Sequence, residues 1–279
     1  RVHRMNADEA NIFDLAPIAM WIEDFSGVRD LFDLWRAEGV RDIRSWLQAD
    51  LARVAACSQR IRVLKVNRRT LDLFEARDRD HLVANLDKVF RDEMLTSHIN
   101  ELSQLWEGRR EFSGTAVNYT LSGRRLDIQL RGSVLPGHEE TLGKVLLTTE
   151  DVTAREDARR YAEGVFEHSP VSLWVEDFSG VKALLDGVRD RGIVDFRVFT
   201  DVHPEFVRQC MSEIRVIDVN RATLDLFRAP DVKTLLHRQA EIFRDEMEKH
   251  FREQLIDLWN GNLFHQREVV NYALDGTER

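Results

Sequence analysis

The stretch "VNRRTLDLF", from Val66 to Phe74, occurs a second time as "VNRATLDLF", from Val219 to Phe227. The same offset of 153 residues aligns "WIEDFSGVR", which begins at Trp21, with a second "WVEDFSGVK". The alignment needs no gap over roughly 110 residues, which is longer than a solenoid repeat and close to the size of a whole domain. The sequence therefore predicts two copies of one domain.

The repeat divides the chain of 279 residues into four segments. Residues 1–10 are a lead-in, residues 11–151 form the first domain, residues 152–168 form a linker helix, and residues 169–279 form the second domain. The second copy has no counterpart of Leu126–Asp151 in the first copy. We therefore expect the second domain to be truncated at its last strands.

The composition disfavours several classes of protein. A formal net charge of −9 does not suit a surface that binds nucleic acid or an anionic membrane, because phosphate groups require a basic excess. No apolar run approaches the roughly 20 residues that cross a bilayer, and no signal peptide opens the chain. The two cysteines suit a reducing compartment. We expect a cytoplasmic protein, with no nucleic-acid partner and no membrane contact in this segment.

Each copy shows the same order of predicted elements. "IAMWIED" (Ile18–Asp24) is short, apolar and aromatic, which is typical of a strand. Residues 27–60 form a helical insert whose first helix ends at Gly39. "IRVLKVN" alternates apolar and polar residues as a second strand does. Further helices follow, the longest ending at Gly108, and three alternating segments separated by "LSGRR" and "LPGHEET" predict a final meander.

These motifs, in this order, resemble the PAS family of sensory domains (PAS/PAC or S-box). "IFDLAPIAMWIED" resembles the opening of a PAS domain and its first strand, "VNRRTLDLF" its second strand and following helix, and "TEDVTARE" (Thr149–Glu156) its exit motif. The resemblance implies an α+β fold with two PAS-like domains joined by a linker helix. Each domain would be a five-stranded antiparallel sheet with helices on one face, here with an added helical insert between the first two strands.

The resemblance also implies a sensory and signal-transduction region of a bacterial protein. In the first hypothesis, the tandem domains bind a small ligand or cofactor. They relay a conformational change through linker helices to a downstream effector in the same polypeptide, a histidine kinase or a diguanylate cyclase. In the alternative, Trp35, Trp46 and Phe199 of the inserts fill the pocket, and the domains form a ligand-free dimerisation or protein-interaction module. A homodimer is expected.

No catalytic motif is visible in the sequence. It contains no nucleophile elbow, no phosphate-binding loop and no metalloprotease spacing, so we predict no enzyme activity and no metal site. His98 aligns with Phe251 and not with a second histidine, which disfavours haem. The Asn-Cys-Arg-Phe run of photoactive flavin domains is absent. Cys57 and Cys210 align, and their apolar neighbours favour buried packing over a redox role. The identity of any cofactor is left open.

The candidate site residues form two groups. The proposed ligand contacts are aromatic residues that recur at the offset of the repeat: Trp21, Tyr119, Trp174 and Tyr272. The proposed relay residues lie at the end of the first strand of each copy or, by resemblance, where the last strand becomes the linker helix: Glu23, Asp24, Asp151, Val152, Thr153, Glu176 and Asp177. Asn67 and Asn220 end a strand just before a helix, so they are predicted to cap it.

The predicted linker helix carries an apolar stripe. Ala158, Tyr161, Ala162, Val165 and Phe166 fall on one face at helical spacing. The stripe packs on its own domain in one interpretation, and in the other it pairs with its twin in a dimer.

Overall fold

A computed structural model describes residues 12–91, 93–244 and 246–279 of the chain. The predicted lead-in and the first residue of the predicted first domain lie outside these residues. The chain divides into two compact units, and the division falls between Ala158 and Arg159.

The first unit is built on a five-stranded antiparallel sheet with the strand order β2-β1-β5-β4-β3. The strands are β1 (Ala19–Asp24), β2 (Arg62–Val66), β3 (Glu111–Tyr119), β4 (Arg125–Val134) and β5 (Val145–Asp151). This confirms the five-stranded antiparallel sheet that was predicted for the first domain.

Helices occupy the connections on either side of β2. Between β1 and β2 lie α1 (Ser26–Ala37), α2 (Ile43–Ala49) and α3 (Leu51–Gln59). Between β2 and β3 lie α4 (Arg68–Phe74), α5 (Arg79–Val83), α6 (Leu86–Val89) and α7 (Glu93–Trp106), and after β5 comes α8 (Thr153–His168). Local sequence sets several of the starts, because the carboxylates of Asp42, Asp50 and Asp78 accept a hydrogen bond from the first turn of the helix that follows.

Strand alternation directs one face of the sheet into the core. On β3 the buried residues are Phe112, Ala116 and Asn118, while their neighbours are partly or fully exposed. Phe112 lies opposite Gly132 of β4, where a side chain would collide with its ring. Trp21 of β1 is 2% exposed.

Asn67 does more than the predicted helix cap. Its Oδ1 accepts hydrogen bonds from the backbone and side chain of Thr70, at the start of α4, and from the backbone N–H of Met20 in β1. Its Nδ2 donates to the carbonyl oxygens of Phe13 and Ile18. One buried amide therefore joins β1, the segment before it and the helix after β2. Asn220 makes the equivalent set of contacts in the second unit.

We expect Asn67→Ala to destabilise the first unit by about 2 kcal/mol, because it leaves several buried backbone groups without partners. Asp78→Ala removes only a helix cap on an exposed surface and should cost about 1 kcal/mol. Urea unfolding followed by circular dichroism measures both variants. Equal losses would show that Asn67 acts only as a cap.

The second unit has a smaller sheet than predicted. Its strands β6 (Trp174–Asp177) and β7 (Arg215–Val219) form a two-stranded antiparallel pair. The helices are α9 (Ser179–Asp190), α10 (Phe196–Val202), α11 (Pro204–Glu213), α12 (Arg221–Phe227), α13 (Val232–His237), α14 (Gln239–Ile242) and α15 (Met247–Trp259). The sequence predicted a sheet truncated at its last strands, and among the described residues the second unit also has no strand in the position of β3.

Missing partners explain this difference. In the first unit, β3 pairs with β4, and β1 pairs with β5 on one side. Within the 279 residues, no segment of the second copy aligns with β4 and β5. Residues 264–272, which align with β3, contain only an isolated bridge between Tyr272 and Glu278. A strand without a neighbour leaves its backbone groups unpaired, so the segment does not form one.

Candidate functional site

The first unit contains a partly open cavity of about 410 Å³ between the inner face of the sheet and helices α3, α6 and α7. Most of its wall is apolar, and it includes the aromatic rings of Trp21, Phe25, Phe90 and Phe112. The polar side chains in the wall come from both the sheet and the helices, and they include Glu23, Ser58, His98, Glu101, Asn118 and Thr149. An apolar cavity with a few convergent polar groups is the usual form of a small-molecule site.

Two buried carboxyl groups line this cavity. Glu23 lies on β1 and is 7% exposed, and Glu101 lies on α7 and is 3% exposed. Burial raises the pKa of Glu23 to about 8. Burial, with a smaller contribution from the charge of Glu23, raises the pKa of Glu101 to about 8. Both groups therefore hold their protons for most of the time at neutral pH.

Two acceptor oxygens in the cavity wall have no hydrogen-bond partner among the described residues. They are Oε1 of Glu101 and Oδ1 of Asn118, both fully buried. Glu101 fits against β3 because Gly114 stands opposite, where a Cβ atom would lie 3.0 Å from its Oε1. A buried acceptor without a partner is costly, so this wall is poised to receive hydrogen-bond donors.

His98 is the third buried titratable group of the wall. Its Nδ1 lies 2.9 Å from Oγ of Ser58 on α3. Burial lowers the pKa of His98 to about 4, so the ring is neutral at pH 7. A neutral imidazole held by a serine adds polarity to the cavity and no charge.

The second copy replaces most of this polar cluster. At the offset of 153, Ser58, His98 and Glu101 correspond to Met211, Phe251 and Gln254. Phe251 is buried in an apolar cluster of the second unit. The two copies therefore share a framework and differ in the chemistry of this position.

The structure places Trp21 in the cavity wall, where its Nε1 donates to Oγ1 of Thr149 at 3.2 Å. Tyr119 differs from the expectation. Its hydroxyl donates to the exposed Glu93 at 3.0 Å, and the guanidinium of Arg91 lies 3.8 Å above its ring. Successive residues of a strand face opposite sides, so Asn118 enters the cavity in its place.

The two candidates of the second unit keep the ring contacts of their counterparts. Trp174 packs on Phe227 and Phe243, with ring centroids 5.9 and 5.4 Å apart. The guanidinium of Arg244 lies 3.6 Å from the ring of Tyr272. Packing and cation–π contact account for both residues.

Asp151, Val152 and Thr153 lie where β5 passes into α8. The Asp151 carboxylate accepts hydrogen bonds from the backbone and hydroxyl of Thr153, at 3.0 and 2.6 Å. Thr153 Oγ1 accepts from the backbone N–H of Asp127 at 2.9 Å, and the N–H of the buried Val152 donates to the Asp127 carbonyl at 2.9 Å. The start of α8 is therefore fastened to β4.

Asp24 lies at the other end of the sheet from this junction. Its carboxylate accepts from the Ser26 N–H at 2.8 Å and pairs with Arg62. Burial raises the pKa of Asp24, but these hydrogen bonds and the charge of Arg62 outweigh it and hold the pKa below the usual range. Asp177 repeats the arrangement with Ser179 and Arg215. These two aspartates hold together the ends of the first two strands in each copy.

Glu23 and Glu176 differ although they correspond in sequence. Glu23 is buried in the cavity wall and lies opposite Val145 of β5, whereas Glu176 is exposed and, among the described residues, β6 pairs only with β7. Residual burial still raises the pKa of Glu176.

The inserted helices form a wall of the cavity and do not fill it. Trp35 and Trp46 pack on each other at 6.3 Å, away from the cavity lining. The insert contributes Ala55, Ser58 and Gln59 of α3 to the lining. In the second unit, Phe199 packs on Phe196 and Phe206.

Both cysteines are buried, and burial raises the pKa of each thiol to about 12. We expect Cys57 and Cys210 to be inert to Ellman's reagent at pH 8 in the folded chain, because about one thiol in 10,000 is ionised under these conditions. Both should react after unfolding in urea. Rapid reaction of either thiol in the native chain would reopen a redox role.

A larger open groove of about 770 Å³ lies on the second unit, lined mainly by exposed residues that include Glu167, Arg221 and Asp225. It contains no buried titratable cluster. In the part of the chain that the structure describes, no group of three or more metal-ligating side chains occurs. Across the same residues, no helix is long and apolar enough to span a membrane.

Sequence reasoning missed Glu101, Asn118 and Thr149. One signal for Glu101 was available, because it lies three residues after His98 and four before Leu105, on the apolar face of a predicted helix. The partners that bury it come from the sheet, so its environment was not readable from the helix alone.

No family model and no curated protein matches the chain. A domain of the sensory box sensor histidine kinase/response regulator from Geobacter sulfurreducens is 15% identical, with 52% of this chain and 91% of that chain covered at a TM-score of 0.32. The PAS domain of a protein from Colwellia psychrerythraea is 13% identical, with 53% and 97% covered at 0.36. The LOV domain of the Erythrobacter litoralis EL346 blue-light activated histidine kinase is 14% identical, with 48% and 95% covered at 0.31.

Proposed function

We propose that this chain is a cytoplasmic sensory module of a signalling protein, and that the cavity of its first unit binds a small molecule. The observation that carries the proposal is the cavity with two buried acceptors, on Glu101 and Asn118, that have no partner among the described residues. A ligand with donor groups would satisfy both acceptors and cover the aromatic wall.

A short route connects the cavity to the start of α8. Trp21 in the cavity wall donates a hydrogen bond to Thr149 of β5. Thr149 lies two residues before Asp151, which holds Thr153 at the first turn of α8. In this proposal, a ligand that moves Trp21 shifts β5 and thereby α8. The module itself catalyses no reaction, and it acts on an effector domain elsewhere in the same polypeptide, such as a histidine kinase or a diguanylate cyclase.

Retention of a ligand is tested by an absorbance spectrum of the freshly purified chain, followed by native and denaturing mass spectrometry. We expect a small molecule that leaves only on denaturation, or recovery of such a molecule after incubation with a cell extract. A cavity that retains nothing in both preparations would overturn the sensor proposal.

The relay is tested by hydrogen exchange in α8 with and without that molecule. Thr149→Val should retain the ligand and lose the ligand-dependent change in exchange of residues 153–168, because the acceptor for Trp21 is gone. The matched control is Thr148→Val, since Thr148 faces the opposite side of β5. An unchanged response in Thr149→Val would exclude this route.

The exposed stripe on α8 favours a second role, homodimer formation. Tyr161 is 76% exposed and Val165 is 53% exposed, and no residue of α8 is buried. Single large apolar residues on a surface are common, but a stripe of them along one helix face is typical of helix pairing. Tyr161→Glu with Val165→Glu should convert a dimer to a monomer in analytical ultracentrifugation, whereas Glu167→Lys on the opposite face should not. A monomeric parent chain would exclude this role.

A further inference from the structure

We propose that the cavity of the first unit selects a small organic cation, an ammonium group carried on an apolar body. This inference rests on the proposed function and names the chemical class of its ligand. Its geometric basis is that the buried Glu23 of β1 and the buried Glu101 of α7 line one cavity, and that Oε1 of Glu101 has no hydrogen-bond partner among the described residues. Two carboxyl groups without an opposite charge suit the N–H donors of a primary ammonium group.

Among the described residues, no cationic side chain of the cavity lining forms an ion pair with Glu23 or Glu101. Arg91 is exposed, stacks on Tyr119 and donates its Nε–H to the carbonyl of Lys88. Asp87, also exposed, adds negative charge to the lining. In the described part of the chain, neither Glu23 nor Glu101 takes part in an ion pair. An incoming ammonium group would therefore be the first positive charge to pair with Glu23 or Glu101.

The neutral state of His98 also favours a cationic ligand over an anionic one. Ser58 holds its Nδ1, and burial keeps the pKa of His98 near 4. An anionic ligand would gain no counter-charge from His98 at pH 7 and would lie against two acidic side chains. Desolvation of such an anion would have no compensation from a buried opposite charge among the described residues.

The apolar part of the wall determines which apolar group the ligand can carry beside its ammonium group. Phe25, Phe90 and Phe112 supply three aromatic rings, and Leu130 and Leu147 cover the sheet side. A volume of about 410 Å³ accommodates a body of one aromatic ring or a short alkyl chain beside the ammonium group.

Binding of the cation is coupled to loss of a proton. In the empty cavity at pH 7, the carboxyl groups of Glu23 and Glu101 are mainly protonated, because burial raises the pKa of each to about 8. When an ammonium group enters, one carboxyl O–H bond breaks, its proton passes to solvent, and the resulting carboxylate accepts from the ammonium N–H. We therefore expect release of about one proton per ligand.

The second copy provides a natural comparison. Gln254 stands where the first copy has Glu101, and Glu176, the counterpart of Glu23, is exposed. The same framework therefore already holds a glutamine at the position that corresponds to Glu101. Only the first copy carries the pair of buried acids that selects a cation.

The preference for a head group is tested with three probes that share a phenylalkyl body and differ in their polar group. They are 4-phenylbutylamine, 4-phenylbutan-1-ol and 4-phenylbutyrate. Isothermal titration calorimetry of the whole chain at pH 7 measures each. We expect the amine to bind at least about 30-fold more tightly than the alcohol, which corresponds to a charge-assisted contact in a buried site, and the carboxylate to bind most weakly. Equal binding of amine and alcohol, or tighter binding of the carboxylate, would overturn the inference.

The proton release supplies an independent readout. The enthalpy of amine binding should change between buffers of different ionisation enthalpy by the amount expected for about one released proton. Its affinity should rise close to tenfold per pH unit between pH 6 and pH 7.5, since both acids are mainly protonated there. An affinity that does not depend on pH would contradict the coupling and with it the inference.

Two variants test whether the amine binds in this cavity. Glu101→Gln should reduce amine affinity by at least about 30-fold and leave alcohol affinity unchanged. The matched control, Glu176→Gln in the second unit, should change neither. If the amine binds equally to both variants, its site lies elsewhere and the inference fails. The sensor proposal is judged separately by the retained molecule, so a neutral ligand found there would end the inference and leave the sensor function standing.

Discussion

The double variant Glu23→Gln/Glu101→Gln is expected to be more stable than the parent chain at pH 8, by roughly 4 kcal/mol for each of the two carboxyl groups. Both side chains are almost completely buried, and burial raises the pKa of each from an ordinary value of 4.5 to about 8. Glutamine has nearly the same size and hydrogen-bonding groups but never ionises. The variant therefore avoids the cost of holding a negative charge in the empty cavity.

The direction of the pH effect follows from proton binding. A carboxyl group with a higher pKa in the folded chain binds its proton more tightly there than in the unfolded chain. Its contribution to stability is complete below pH 4.5 and is lost as the pH rises towards 8. His98 acts in a lower range, because its pKa falls from 6.5 to about 4 on folding, and its contribution is lost as the pH falls through that range. Between pH 6.5 and pH 8, the change in this cavity comes from Glu23 and Glu101.

Urea unfolding at pH 6.5 and pH 8 measures the effect, and exchange of the β4 amides assigns it to the first unit. The parent should lose stability between the two pH values, and the double variant should lose much less. Glu176→Gln is the matched control, and it should have a small effect because Glu176 is exposed. A parent chain with equal stability at both values would show that the two carboxyl groups are ionised and solvated in the folded state.

Trp21→Ala is expected to destabilise the first unit by about 3 to 5 kcal/mol. The indole is 2% exposed, packs edge-on against Phe74 with ring centroids 5.5 Å apart, and contacts Phe90 at 6.1 Å. Its removal enlarges the cavity and leaves Thr149 without its indole partner. Trp21→Phe retains a ring and loses the hydrogen bond, so it should cost about 1 to 2 kcal/mol.

Trp174→Ala is the matched control for this variant. Trp174 has the same two aromatic neighbours in the second unit, Phe227 and Phe243, but it is only partly buried. Trp174→Ala should lower the free energy of unfolding by about half as much as Trp21→Ala. Urea unfolding followed by tryptophan fluorescence measures both variants. A larger loss for Trp174 than for Trp21 would mean that the cavity wall tolerates removal of its indole.

The sequence located the framework of the site more accurately than its lining. The repeat of Asn67 and Trp21 in both copies predicted residues that the structure places in the core. Tyr119 and Asn118 were equally visible as a repeated pair, but a shift of one residue along a strand exchanges the two faces of the sheet. Only the pairing of β3 with β4 decides which of the two enters the cavity.

The sequence alone determined the internal repeat, the order of strands and helices in the first unit, and the helix starts, because these depend on residue spacing and on hydrogen bonds between near neighbours in the chain. The tertiary structure decided the chemistry of the cavity. Glu23 and Glu101 are separated by 78 positions in the sequence, and burial by the sheet and by α7 changes the pKa of both. A pKa depends on the surroundings that remote residues supply, and no local pattern encodes those surroundings.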